Sequence, residues 1–172
     1  MDMDTLPDSM TIIFSILFCM MCEDFTFHIG HRIMHWRVIY PYMHKLHHTH
    51  IYTVTIAADY THPIEFIVGN TLPVISGPLI LGNKMHLYTF LIWQAIRHAE
   101  TTDGHSGYEF SWSPYRLLPF SASSTYHSFH HSHNVGNYSS FFSFWDTIFG
   151  SNKAYYEYYE QVRKAREEHE KK

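Results

Sequence analysis

The sequence predicts an all-α, integral-membrane helical protein with a helical cap that faces the cytosol. Three observations support this prediction. Charged residues make up 16% of the chain, against roughly 25% in ordinary soluble domains. Long uncharged runs, the first of them rich in Ile, Leu, Phe and Met, are typical of helices in contact with lipid, and histidine clusters with polar segments separate these runs. At 172 residues the chain is long enough for one domain with a buried core.

The first apolar run covers residues 9–22 and contains no charged side chain. Extended to residue 29, it is long enough to cross a bilayer, which takes about 20 apolar residues. The crossing would enclose Glu23 and Asp24, an acidic pair that is tolerated at that depth only when it faces a protein interior. A buried helix of a soluble protein is the alternative. Cys19 and Cys22 lie in this run, and without a second cysteine pair we expect two buried thiols rather than a redox or zinc site.

The segment that follows is aromatic and then rich in β-branched residues. Residues 36–42 suit a membrane–water interface, and Pro41 interrupts them. Residues 51–56 predict either a strand or an irregular loop. Pro63 predicts the start of the next helix, because proline is favoured at the first helical position.

A second apolar region covers residues 66–83, and residues 85–96 add another uncharged run after Lys84. We expect a helical hairpin that dips into or crosses the bilayer and bends at the cluster of Pro73, Gly77, Pro78 and Gly82. Membrane helices tolerate such residues where neighbouring groups satisfy the freed backbone. A soluble pair of helices is the alternative, since the mean hydropathy of the chain is only −0.22.

The C-terminal half is more polar. Residues 111–124 predict a surface loop, residues 134–138 a turn, and residues from 153 onward a charged, solvated helix. We therefore divide the chain into a membrane domain, residues 1–150, and a polar helical tail, residues 151–172. The net charge of −4 argues against a nucleic-acid partner, which needs a basic surplus to neutralise phosphates.

Histidines form three clusters at helical spacing in a chain with 16 histidines and only 12 lysines plus arginines. Residues three and four apart share one face of a helix, so each H-x-x-H-H cluster, if helical, would present three imidazoles to one point. Eight clustered histidines exceed what one metal ion uses, and the cap is therefore expected to hold a di-metal site. Imidazole suits zinc, copper, iron and nickel alike. The eight are His31, His35, His44, His47, His48, His127, His130 and His131.

Acidic residues do not occur in the E-x-x-H pattern of carboxylate-bridged di-iron bundles, so the predicted site is nearly all nitrogen. Acids beyond the ligands would orient each ring through its other nitrogen. Isolated histidines, such as those at positions 28, 50, 86, 98 and 169, are better interpreted as core or surface residues. The candidate orienting acids are Glu23, Asp24, Asp59, Glu65, Glu100, Asp103 and Asp146.

The ordered motifs resemble those of the fatty acid hydroxylase/sterol desaturase superfamily, and most closely its C-4 sterol methyl oxidase branch. The histidine boxes are residues 31–35 (HRIMH), 44–48 (HKLHH) and 127–131 (HSFHH). Between and after them, residues 60–65 (YTHPIE), 100–108 (ETTDGHSGY), 136–139 (GNYS) and 144–150 (FWDTIFG) are similar to further elements of that branch. The resemblance runs from about residue 23 to residue 150.

The resemblance implies a membrane di-iron oxygenase, most simply of the endoplasmic reticulum or another organelle membrane. It would use O₂ and electrons from NAD(P)H, delivered by cytochrome b5 or a reductase, to oxidise a C-4 methyl group on a sterol. It also implies His105 as a further iron ligand and His62 as a weaker one.

Two other functions stay open at this stage. One is the same chemistry on another lipid, as in C-5 sterol desaturation or fatty acyl hydroxylation. The other is a shortened, non-catalytic subunit of a larger membrane assembly, because only one apolar segment precedes the first histidine box. Zinc would occupy the same imidazoles.

Overall fold

The computed structural model describes residue 1 and residues 3–171. Seven α-helices form the framework, and β-structure within this part of the chain is limited to isolated bridges such as Ser121–Phe142. The predicted all-α class is confirmed. The helices are α1 (Ser9–Met34), α2 (Pro63–Glu65), α3 (Leu72–Leu81), α4 (Leu87–Gly104), α5 (Ser124–His133), α6 (Phe144–Phe149) and α7 (Lys153–Glu170).

Helix α1 is one continuous element of 26 residues that carries the first apolar run and most of the first histidine box, with His35 as its C-cap. Its start is fixed by Asp8, whose carboxylate accepts the backbone N–H groups of Met10 and Thr11 at 2.9 and 3.1 Å, as an N-cap should. Glu23 and Asp24 are fully buried, so the acidic pair faces the protein interior as the sequence requires.

Two helical stretches are long and apolar enough to cross a membrane by length and composition: α1 and the 22 residues of Pro63–Lys84. Most residues of both stretches remain unburied within the chain. The second stretch starts at Pro63, as predicted, and combines α2, a π-helix over Phe66–Thr71, α3 and a 3₁₀ turn over Gly82–Lys84. The π-helix precedes Pro73, which has no N–H to continue the regular i→i−4 ladder.

The helical hairpin is present, and within it α3 ends at Gly82. Pro73, Gly77 and Pro78 lie inside α3, whereas Gly82 ends it with a φ of +54°, a conformation that favours glycine. Gly77 serves packing instead, because a Cβ there would lie 2.7 Å from Cys19 Cα on α1. The core next to this contact contains Trp93, whose indole N–H donates to the carbonyl of Val74 at 2.9 Å.

The remaining connections cross the cap. Residues 36–46 form consecutive turns that lead into a 3₁₀ helix over His47–Thr49, and residues 51–54 are an irregular loop followed by a 3₁₀ helix over Thr55–Asp59. Of the two predictions for residues 51–56, the irregular loop is therefore the right one. Residues 111–123 are a loop that includes a 3₁₀ turn over Pro114–Leu117.

The tail forms α7, which begins against α5 and continues into solvent. Tyr155 lies 4.9 Å from Tyr126 and 5.4 Å from Phe129, measured between ring centroids. Further along, Arg163 pairs with Glu160 and Glu167 on the exposed face. The division of the chain into a membrane domain and a polar tail, residues 151–172, stays a prediction. Lys172 lies outside the described residues.

Candidate metal centre

Nine histidines converge in two groups, and they come from the C-terminal ends of α1 and α4, from the 44–48 segment and from α5. Within each group, every residue offers one ring nitrogen, and these nitrogens lie within 4.8 Å of one another. All nine come from the histidines that the motifs and the resemblance singled out; their role as ligands stays a prediction. The first group is His31, His35, His44, His48 and His130, and the second is His47, His105, His127 and His131.

Each H-x-x-H-H box divides between the two groups, so the expectation that its three rings meet at one point is wrong. The i and i+4 members stay together, as His44 and His48 do in the first group and His127 and His131 in the second. The i+3 member goes to the opposite group, which is where His47 and His130 lie. In the box that lies on α5, adjacent positions i+3 and i+4 are about 100° apart around the helix axis, so one box can serve two sites.

Backbone carbonyls orient four of the rings. In the first group, His31 Nδ1 lies 2.9 Å from the carbonyl oxygen of Tyr138, and His130 Nδ1 lies 2.6 Å from that of Gly136. In the second group, His105 Nδ1 lies 3.1 Å from the carbonyl oxygen of Thr101, and His131 Nδ1 lies 3.2 Å from that of His50. A carbonyl oxygen only accepts, so in each ring the proton is assigned to Nδ1 and the lone pair to Nε2.

The Nε2 atoms of these rings face one another at short distance. His127 Nε2 lies 2.9 Å from that of His105 and 3.1 Å from that of His131. Since both neighbours present lone pairs, at most one of the two contacts has a proton to share. The first group has the same shortage, with Nε2 atoms of His31 and His44 3.1 Å apart.

Converging lone pairs without enough protons are the arrangement that a metal cation satisfies. The donor set, buried imidazole nitrogens held in place through their opposite nitrogen, fits transition-metal ions such as iron or zinc. Two groups fit two ions. The residues present therefore fit the predicted di-metal site.

Burial keeps the rings neutral. Desolvation, reinforced by neighbouring histidines, lowers the pKa of His35 and of His48 to about 2 from the ordinary value of 6.5. The same causes lower the pKa of His105 to about 3, and burial lowers that of His131 to about 4. Neutral imidazole is the form that binds metal. These rings can therefore bind a metal ion at neutral pH without first losing a proton.

Among the seven candidate acids, and within the described residues, Glu65 is the one that contacts a clustered ring directly. Its Oε1 lies 2.6 Å from His44 Nδ1, and both side chains are buried. Glu65 reaches this position because it follows Pro63 in the first turn of α2. His62, the weaker ligand candidate, lies outside both groups, and its ring accepts the backbone N–H of Ile64 at 3.2 Å as the cap of α2.

The other candidate acids serve different partners. Glu23 and Glu100 both bind Arg97, at 2.6 and 2.7 Å, in a buried cluster that joins α1 to α4. Asp24 accepts the backbone N–H groups of residues 140–142. Asp103 pairs with Arg116 at 2.6 Å, and Asp59 is exposed on the cap. Acids therefore build the frame of the site more than they touch its rings.

Asp146 acts on the rings through a loop. Its Oδ1 accepts the N–H of Tyr138 at 2.9 Å, and its Oδ2 accepts the N–H of Ser139 at 3.0 Å and the hydroxyl of Tyr126 at 2.9 Å. The loop it holds, residues 136–139, supplies the carbonyls that orient His31 and His130. Gly136 is needed there, because its φ is +60° and a Cβ would overlap the carbonyl oxygen of Ser151.

Sequence reasoning missed two features of the site: the orienting carbonyls and Arg97. A backbone carbonyl leaves no trace in residue identity, although the GNYS motif marks the loop that carries two of them. Arg97 was detectable as an isolated cation inside an apolar helix, close to Glu100 in the same helix.

The sequence profile of the fatty acid hydroxylase family matches residues 16–151. A Dictyostelium discoideum protein provisionally named as a methylsterol monooxygenase is 39% identical over 151 residues, 88% of this chain and 55% of that protein. A methylsterol monooxygenase of Arabidopsis thaliana is 36% identical over 153 residues, with coverage of 87% and 56%. A very-long-chain aldehyde decarbonylase of Oryza sativa subsp. japonica is 35% identical over 153 residues, also with coverage of 87% and 56%. The chain thus spans about half the length of the curated relatives it matches. No solved structure matches it significantly.

Proposed function

Since this chain belongs to the fatty acid hydroxylase family, as the resemblance of its motifs predicted, we propose that it is a membrane di-iron monooxygenase that oxidises a C-4 methyl group on a sterol. The observation that carries the proposal is the pair of converging histidine groups. The substrate is supported by relatives named methylsterol monooxygenases and by the ETTDGHSGY and GNYS motifs.

The nine histidines would hold two ions, five rings at one and four at the other. Iron bound there supplies the redox chemistry with O₂ that an unactivated C–H bond requires. Each hydroxylation consumes one O₂, two electrons and two protons and yields an alcohol and one water. Repeated rounds take the methyl group to a carboxylate.

The chain's own residues keep the rings neutral, oriented and shielded from water. Carbonyls of residues 50, 101, 136 and 138 hold protons at the outward Nδ1 atoms, so each Nε2 lone pair points inward. Glu65 acts on His44 in the same way. Electrons would come from NAD(P)H through cytochrome b5 or a reductase, and the endoplasmic reticulum is the membrane we propose.

Another lipid substrate is the second candidate, since a relative of similar identity is named an aldehyde decarbonylase. The two histidine groups and their metal ions would then act on a long-chain aldehyde. The two candidates differ in the substrate they require and agree on the metals.

The test begins with metal content. Protein isolated from its native membrane should contain about two irons per chain by elemental mass spectrometry, and should convert a 4-methylsterol to 4-hydroxymethyl and 4-carboxyl products with O₂ and reductant. A variant carrying His44→Ala and His127→Ala, one change in each group, should lose both iron and product. Iron with turnover of a long-chain aldehyde only would select the second candidate. Zinc or no metal in the native protein would overturn the catalytic proposal and favour a non-catalytic membrane subunit.

A further inference from the structure

A lateral cavity of about 530 Å³ opens beside the metal centre, between α4, the 3₁₀ helix Thr55–Asp59 and the π-helix Phe66–Thr71. Its walls are mainly apolar and include Ile56, Phe66, Val74 and Ile75. This volume lies within the range of about 300–1,000 Å³ that is usual for small-molecule sites.

A second, smaller cavity of about 50 Å³ lies against the histidines themselves, with His31, His44 and His127 among its walls. It has room for a methyl-sized group, since about 10–15 Å³ measured in this way holds one water, and it is about a tenth the size of the large cavity. Four residues line both cavities: Ala58, Asn70, Arg97 and Thr101. We name these four residues the throat, because they border both cavities.

Two of the three polar side chains of the throat already make hydrogen bonds to other protein groups. Arg97 is held by Glu23 and Glu100, and the hydroxyl of Thr101 bonds the carbonyl and the guanidinium of Arg97. Asn70 is half-buried, and within the described residues its side-chain amide makes no hydrogen bond to another protein group. The π-helix places it there, and single π-helical turns occur frequently at functional sites.

We propose that the large cavity binds the ring system of a hydroxylated sterol and that Asn70 binds the hydroxyl group next to the reacting carbon. The inference rests on the proposed function. A sterol carries its hydroxyl at C-3, adjacent to C-4, so a C-4 methyl group in the small cavity brings that hydroxyl to the throat. The apolar walls take the rings, and the free amide accepts or donates one hydrogen bond. A long-chain aldehyde has no hydroxyl to place there.

The experiment measures binding of a 4-methylsterol and of its 3-deoxy analogue to the purified full chain in detergent micelles, by thermophoresis. One hydrogen bond is worth about 0.5–1.5 kcal/mol, so the wild type should prefer the hydroxysterol by about 2- to 12-fold. Asn70→Leu, similar in size, should remove this preference. Gln94→Leu, which changes an amide lining only the large cavity, should retain it. Ala58→Phe should fill the throat and weaken binding of both sterols at least tenfold.

Metal content per chain and melting temperature, measured for every variant, show that the site and the fold persist. A preference that survives in Asn70→Leu, unchanged binding in Ala58→Phe, or no sterol binding by the metal-loaded wild type would each overturn the inference. Asn70-dependent binding without oxidation would uphold the cavity and reject the proposed reaction. Oxidation that proceeds equally in the wild type and in Ala58→Phe would uphold the reaction and reject the cavity.

Discussion

Replacing Asp146 with asparagine tests how the first histidine group is held. Each carboxylate oxygen of Asp146 accepts two hydrogen bonds: Oδ1 from the Tyr138 N–H and the Ser151 hydroxyl, Oδ2 from the Ser139 N–H and the Tyr126 hydroxyl. An amide NH₂ in place of either oxygen would face a backbone N–H, which can only donate, and a hydroxyl, which can turn to accept.

The magnitude follows from the lost backbone bond. A hydrogen bond to a charged group contributes about 1.5–3 kcal/mol, so its loss should lower the free energy of unfolding by about that amount. The loop 136–139 would also shift, and with it the carbonyls that orient His31 and His130. Loss of such an outer partner typically lowers metal affinity about 10- to 100-fold. The second group takes its carbonyls from Thr101 and His50 and should keep its affinity.

The assay is metal stoichiometry during titration with a chelator, together with thermal unfolding. Asp146→Asn should release one metal at a chelator concentration that leaves both in the wild type. Asp103→Asn is the matched control, because it breaks the pair with Arg116 and leaves the loop untouched. Two metals held as tightly as in the wild type, with unfolding changed by less than about 1 kcal/mol, would show that Asp146 does not hold the loop that orients the first group.

Three further predictions concern the split boxes, helix packing and acid stability. His47→Ala should lower the metal affinity of the second group by at least about tenfold, and His48→Ala should lower that of the first group, although the two residues are adjacent. Chelator titration of each variant measures this. Gly77→Val should push α3 away from Cys19 and cost about 1–3 kcal/mol of unfolding free energy, measured by thermal unfolding. The metal-free protein should lose stability as pH falls from about 6.5 towards 4, by up to about 1.4 kcal/mol per pH unit for each buried histidine. The sign follows because the folded state depresses the pKa of rings such as His131 to about 4, so only the unfolded chain gains protons in that window; urea titration against pH measures it.

Each of these has its own control. The double variant Asp146→Asn/His48→Ala should still hold one metal tightly, because both changes affect the first group. The double variant Asp146→Asn/His47→Ala should hold none tightly, because each group is changed. Identical behaviour of the two double variants would contradict the division of each box between two groups. Gly30→Ala is the packing control, since a Cβ there meets nothing closer than 3.6 Å, and a loss as large as that of Gly77→Val would show that packing is not the cause. Stability of the metal-free protein that stays constant between pH 6.5 and 4 would contradict the titration argument.

The sequence determined the helices and the family, because both depend on local pattern. Uncharged runs and Pro63 at the start of α2 mark elements whose hydrogen bonds lie between near neighbours in the chain. The three boxes carry the same kind of information, since the i, i+4 spacing alone makes His44 and His48 neighbours. Their order along the chain then identified the family.

Only the tertiary structure decided how the boxes combine. The i+3 ring of each box joins the opposite group because α5 and the 44–48 segment face each other across the site, a relation between distant parts of the chain. The same is true of the carbonyls of Gly136 and Tyr138, whose role depends on where Asp146 holds them and on no side chain of their own. The throat at Asn70 exists because a π-helical turn from one segment meets α4 from another, and long-range contacts of that kind leave no periodicity in the sequence.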